Sequence, residues 1–250
     1  MGTSTGTGTS LNTSAFASDW AAGELEGAVR GRHAVRQYTD EPISAEDRAA
    51  LEREVAICNE LGNLHMGLVW DEPEAFDSAL AHYGKFTGVR NYLVVAGAPA
   101  SDLERSAGYW GERFVLTAQR LGLNTCWVAL TFKRRYVRAH LAKGDQMVLV
   151  VAFGHGATQG VQHKSKATAD VCSPADGPEW FRRGVEWALL APTAVDQQKF
   201  RIELTEGTDG AKPQAAVRDL GGSYSKVDQG IVSLHFELGA GADNFVWANI

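Results

Sequence analysis

Cysteine, long apolar runs, an excess of basic charge and the familiar catalytic signatures are all scarce in this chain, and each scarcity excludes something. Three cysteines, Cys58, Cys126 and Cys172, are spread over 250 residues with no C-x-x-C and no Cys/His spacing of a zinc site. They read as buried thiols of a reducing compartment, so a cytoplasmic location is expected and no metal is. No stretch approaches the ~18 apolar residues of a membrane span, and the best, Met147 to Phe153, has the length of a strand. Lys and Arg number 24 against 30 Asp and Glu, a net charge of −6, which argues against a broad hold on nucleic acid. G-x-G-x-x-G, the P-loop, G-x-S-x-G and H-E-x-x-H are missing. His65, His82, His140, His155 and His235 lack partner spacing, and Glu24/Glu26 and Asp71/Glu72 read as solvated charges. These absences point to no catalytic residue. Met1 to Ser14 is mostly Gly, Thr and Ser without Lys or Arg, so it lacks the basic start and apolar stretch of a secretory signal. Residues 1–18 read as a flexible tail.

What is present is an ordinary globular composition, 44% hydrophobic and 22% charged. A chain of this length buries about 70% of its unfolded surface and supports a core without staples. Ser44-Ala45-Glu46-Asp47 has the form of a helix start, followed by Leu51, Val55, Cys58 and Leu61 at near-helical spacing. Leu68-Val69-Trp70 and Tyr92 to Val95 read as strands. Asp102 to Leu121 reads as an amphipathic helix stopped by Gly122, and Thr125 to Leu130 as the next strand. The apolar run 146–153 predicts a strand buried on both faces. After a break at 173–178, Pro178 suits a first helical position before Phe181, Val185, Ala188 and Leu189. Phe200, Ile202 and Leu204 alternate with polar residues as a half-exposed strand does. A last helix runs from about Ser225 to Leu238 with Gly239 at its end, and 245–248 suits a closing strand. The mixed order predicts an α+β fold. The helix-then-strand unit at 44–70 is echoed at 178–204, where a longer loop, Ala191 to Gln198, replaces Gly62-Asn63-Leu64.

Three segments could carry chemistry. In Arg32-His33-Ala34-Val35-Arg36 two guanidinium forks would project from one side of a helical start, suited to phosphate or a polarised carbonyl. His163-Lys164-Ser165-Lys166 follows the buried strand as a second basic cluster. Ala191 to Gln198 is a proline-started loop of small and amide residues that could bring backbone close to a flat ligand.

Together these pieces resemble the nitroreductase family of FMN-dependent oxidoreductases. Residues 32–44 look like its opening, Arg120 to Trp127 like its central L-G-L-x-x-x-W segment, Lys164-x-Lys166 like its late basic pair, and Ala191 to Phe200 like its A-P-S-x-x-N-x-Q-P-W box. The resemblance implies a mixed, mostly antiparallel sheet flanked by helices. It also implies that Arg32, Lys164 and Lys166 hold the FMN phosphate and that Arg36 sits at the N1/O2 edge of the ring, where negative charge gathers on reduction. His33 and Ala34 would line the ribityl chain, and Ala129 or Leu130 would present a backbone N–H towards N5. Pro192 and Ala194 would pack beside the ring, Asp196 would meet the ribityl hydroxyls, and Lys85 is a further candidate contact. Asp196 and Lys199 stand where the family usually has Asn and Pro.

In the family the box directly follows the first helix, whereas here it comes after the basic pair. That order resembles a subgroup in which two subunit-like halves are fused and one chain imitates the homodimer. The expected division is 19–173 for the first half and 174–250 for a shorter second half, in a monomer that is a pseudo-dimer. The implied activity is hydride transfer from NADH or NADPH to an oxidised small molecule, nitroaromatic or quinone-like. The contrasting expectation is a flavin-binding protein without turnover, serving storage or sensing.

Overall fold

A computed structural model describes Trp20, residues 23–207 and residues 211–248. The tail expected at 1–18 lies outside the described residues. Helix α1 (Glu24–Gly31) leads into an extended run, and α2 (Ala45–Gly62) begins where expected. Ser44 is its N-cap: Oγ accepts from the Asp47 N–H at 3.0 Å and donates to the Asp47 carboxylate at 2.7 Å. Leu51, Val55 and Cys58 are buried as the spacing predicts, but Leu61 is exposed, because at the helix end it is Gly62 that faces the core, against Trp110. Next come β1 (Gly67–Val69), the short α3 (Ala79–Tyr83), β2 (Asn91–Gly97) and α4 (Leu103–Arg120). Gly122, at φ 77°, takes the left-handed conformation that ends α4. The first half continues through β3 (Asn124–Val128), α5 (Arg134–Arg138) and β4 (Gln146–Gly154).

The remainder comprises α6 (Thr168–Val171), β5 (Cys172–Ser173), α7 (Glu179–Ala188), β6 (Phe200–Thr205), β7 (Gln214–Asp219), α8 (Ser225–Ala240) and β8 (Val246–Trp247). Pro178 is the N-cap of α7, one position earlier than expected. Gly239 lies inside α8, where Trp187 leaves no room for a Cβ, and Gly241 is the C-cap.

The strands form two sheets, where one was expected. The order β1-β2-β4-β3 is wholly antiparallel. The order β5-β6-β7-β8 has an antiparallel centre and parallel edges. The split follows from the helices: α4 covers the first sheet, α8 covers the second, and α4 and α8 pack on each other. Strand β4 is buried on both faces as its apolar run requires, with Val151 and Phe153 in one core and Val150 and Ala152 in another.

The order helix, strand, strand, helix occurs twice, as α2-β1-β2-α4, with the short α3 inserted between its strands, and as α7-β6-β7-α8. The contact between α4 and α8 is reciprocal. A Cβ on Gly108 would lie 2.1 Å from the Val227 carbonyl oxygen, and one on Gly230 would lie 2.0 Å from that of Arg105. The displacement along the chain that takes Gly108 to Gly230 also takes Arg105 to Val227, and Leu103, which starts α4, to Ser225, which starts α8. This is the pattern of a two-fold contact, in which i touches j′ and i′ touches j.

Candidate functional site

The segment 32–39 is extended and not the helical start expected of it, because α1 ends at Gly31 and the following backbone is claimed by neighbouring strands and loops. Val35 N–H donates to Thr125 O at 3.0 Å, Thr87 N–H to Arg36 O at 3.0 Å, Tyr38 N–H to Thr87 O at 3.0 Å and Thr39 N–H to His155 O at 2.8 Å. Ala34 bridges Thr125 in parallel, and His33 Nδ1 donates to Gln159 O at 3.2 Å. This threading draws the opening motif, the 85–87 turn and the 155–160 loop together. Arg36 and Lys85 are exposed there, the Arg36 guanidinium lying 6.0 Å from the centre of the Phe86 ring.

Arg32 goes the other way. It is 4% exposed, and its Nε lies 3.6 Å from Glu112 Oε1 with no hydrogen-bond partner. Glu112 is fully buried on α4 and shared: Oε1 faces His235 Nε2 of α8 at 2.9 Å, and Oε2 accepts from Trp127 Nε1 at 2.8 Å. His235 Nδ1 faces the Trp187 carbonyl at 3.3 Å, so both ring nitrogens meet acceptors. One buried carboxylate thus ties the opening motif and β3 to the second half, through a histidine read from the sequence as bland.

The basic pair and the late loop are joined directly. Gln198 is buried, and its side chain accepts from Lys166 N–H at 2.8 Å and donates to Lys164 O at 3.4 Å. Lys166 Nζ donates to Gln198 O at 2.7 Å, while His163 and Ser165 both donate to Leu189 O. Lys166 therefore fastens the loop, and the Lys164 side chain is left exposed. Pro192 and Ala194 are half-buried.

The loop itself is strained. Val195, Asp196 and Gln198 have φ of 48°, 53° and 43°, the left-handed region that branched side chains avoid. Thr193 Oγ1 accepts from Gln198 N–H at 3.1 Å. From α8, Asp228 accepts from Ala194 N–H at 2.9 Å and from Gln197 Nε2 at 2.7 Å. Burial raises the Asp228 carboxyl to about 6, and the nearby charge of Asp219 adds to the rise while the two hydrogen bonds oppose it. Val195, held in this conformation, is 94% exposed, and Asp196 also faces solvent.

Of the remaining candidates, Ala129 follows β3 and packs towards the second half's core, while Leu130 is exposed. A cavity of about 240 Å³ is lined by Tyr38, Asp40, Asp71, Arg90, Asn91 and His155 among others, none of them an expected flavin contact. Among the described residues no group of His, Cys, Asp and Glu could hold a metal, and no helix is long and apolar enough to cross a membrane. Glu112, Asp228, Thr193 and Gln198 had carried no weight as single residues. Thr193 and Gln198 had a signal, their place in the late box.

A sequence profile described as "Putative TM nitroreductase" matches residues 24–240. A protein of Thermotoga maritima named as a "putative nitroreductase" has a similar structure: 18% identity, 86% of this chain and 82% of that one covered, TM-score 0.58. A Bacteroides fragilis nitroreductase, solved with bound FMN, covers 58% of this chain and 94% of its own at 20% identity, with a TM-score of 0.43. No curated protein matches at the level of sequence.

Proposed function

The chain belongs to the nitroreductase family, and on that premise we propose that it is an FMN-dependent oxidoreductase passing hydride from NADH or NADPH to an oxidised small-molecule acceptor, nitroaromatic or quinone-like. The observation that carries this reading is the docking of the 191–198 loop on Lys164–Lys166 through Gln198. Two motifs distant in sequence, each resembling a flavin-binding element of the family, are joined by these bonds.

The donor set fits FMN. Arg36, Lys85 and Lys164 offer exposed cations to a phosphate and to the anionic edge of a reduced ring. Arg32, the expected phosphate contact, lies buried beside Glu112 with its Nε unpartnered. His33 and Ala34 lie along an extended backbone suited to the ribityl chain, and Pro192 and Ala194 to one edge of a flat ring. Asp196 offers acceptors to hydroxyls. When bound, the flavin supplies the two-electron chemistry at N5 that no side chain of this chain can. The protein positions the reactants and holds a positive field near N1/O2; no side chain is assigned as an obligatory acid or base.

The reciprocal packing of Gly108 and Gly230 supports reading the chain as two fused subunit-like halves, 19–173 and 174–250, and hence as a monomer that imitates a dimer. Three buried unpaired thiols suit a reducing cytoplasm. The test is optical. Protein incubated with excess FMN and desalted should retain the visible flavin band, and anaerobic NADH or NADPH should bleach it. Retention without bleaching would leave a flavin-binding protein without turnover, and no retention would overturn the reading.

A further inference from the structure

We propose that Asp228 is the positioning residue that holds the 193–198 loop in its ligand-binding conformation. The proposal rests on the flavin reading for the ligand, but its geometry stands alone. Three non-glycine residues in the left-handed region within four positions cost on the order of 1 kcal/mol or more each and persist only where the surroundings impose them. No packing imposes Val195, whose side chain is 94% exposed. The constraint comes from either side of it, where Asp228 takes the backbone N–H of Ala194 with one oxygen and the Gln197 amide with the other. The Gln197 amide also donates to Ser223 O at 3.0 Å, so the loop is anchored at the start of α8 as well.

The first half provides an internal control. The displacement that relates α4 to α8 takes Ser106 to Asp228. Ser106 fastens the end of α2, the counterpart of α7, its Oγ donating to Gly62 O at 2.8 Å. The position has one structural task in both halves, anchoring the chain where it leaves that helix. Only in the half with the strained loop is it a carboxylate that accepts two hydrogen bonds while 6% exposed. A hydroxyl could not satisfy Ala194 N–H and Gln197 Nε2 from two separate oxygens.

Protonation gives the readout that a purely structural residue would not move. The charged group whose field reaches the carboxylate is Asp219 of β7; the other influences are burial and the two hydrogen bonds from the loop. The two loop hydrogen bonds hold the carboxyl down against burial, so freeing the loop from a carboxyl still packed on α8 raises it further, and by linkage protonation below about pH 6 favours the released loop.

The test compares wild type with Asp228→Asn, which preserves size. Amide-exchange protection at Ala194 and Gln198, corrected for intrinsic rates, is measured at about pH 7.5 and pH 5 alongside FMN titration. In wild type, protection should drop and FMN affinity weaken about tenfold as pH falls through the Asp228 transition. Asp228→Asn should show the weakened values at both pH values, with no break and an unchanged melting profile. Equal protection and affinity in the two proteins would overturn the proposal, as would a pH break that persists in Asp228→Asn. If wild type binds no FMN, the flavin reading fails; Asp228-dependent protection of the loop would still support the positioning role, and its absence would end it. Should Asp228→Asn fold poorly, Gln197→Met removes the same hydrogen bond from the loop side: lowered protection at Ala194 and Gln198 at pH 7.5 supports the proposal, and wild-type protection overturns it.

Discussion

The two connections that leave α2 and α7 occupy equivalent places in the two halves and have opposite characters. Residues 63–66 form a short, closed link. Gly62 lies against Trp110, where a Cβ would fall 2.3 Å from the ring, and the Asn59 amide clasps Met66 through both its N–H and its carbonyl. Residues 189–199 form a longer connection with strained backbone, an exposed Val195 and a set of hydrogen bonds to the basic pair and to α8. Similar element orders thus carry one connection used for packing and one available for a ligand. The repeated element order supplies the frame, and on the proposed reading the longer loop is the side free to bind.

That contrast can be broken at several depths. The largest effect is expected at the junction of the halves. Glu112→Ala leaves Arg32 and His235 buried without their shared carboxylate and Trp127 without an acceptor, and should cost about 3–5 kcal/mol in denaturant unfolding. Gly108→Ala and Gly230→Ala each drive a methyl into the backbone of the opposing helix, which cannot step aside as a side chain can. Each should lose about 2–3 kcal/mol. Near-equality of the two losses is the sharper expectation, and a large disparity would argue against a working two-fold relation.

A third test uses the next pair of related positions, Val115 and Glu237. Val115 is a buried hydrophobe, whereas Glu237 is a carboxyl 2% exposed, accepting from Trp247 Nε1 at 2.7 Å. Burial raises Glu237 to about 7, above the ordinary value of 4.5. The folded protein holds this proton more tightly than the unfolded chain. Its contribution is therefore fully present below about pH 4.5 and is lost as pH rises through 7. Stability should fall by on the order of 2 kcal/mol between about pH 5 and pH 8 on this account. Glu237→Gln should flatten that part of the profile, and an unchanged slope would place its origin elsewhere. The smallest effect is expected for Ser106→Ala, which removes one hydrogen bond to Gly62 O and should cost about 1 kcal/mol. Ligand affinity should be untouched, because the link it secures is the closed one.

Much of the frame was legible where periodicity was long and caps were explicit. Ser44 and Asp47 start α2, Gly122 ends α4, and the apolar run of β4 announced a doubly covered strand. Helix α1 and the short α3, α5 and α6 carry too few turns to repeat a pattern. Gly239 was misread as a terminator because a glycine required by close packing on Trp187 looks the same in sequence as one required by a left-handed turn. Arg32 and Arg36 looked alike at helical spacing, yet an extended backbone sends one into the core and leaves the other in solvent.

The sequence by itself determined the α+β class, the family, the segments with basic and loop chemistry, and the displaced order of the late box that suggested fused halves. Each of these depends on residues close in the chain, where side-chain spacing and local conformation suffice. The tertiary structure alone decided that Glu112 unites Arg32, Trp127 and His235, that Gln198 joins the late loop to Lys164 and Lys166, and that Asp228 restrains a strained backbone from another helix. Those partners are far apart in sequence, and their pairing follows from how the helices, strands and loops that carry them pack together, which no local pattern encodes.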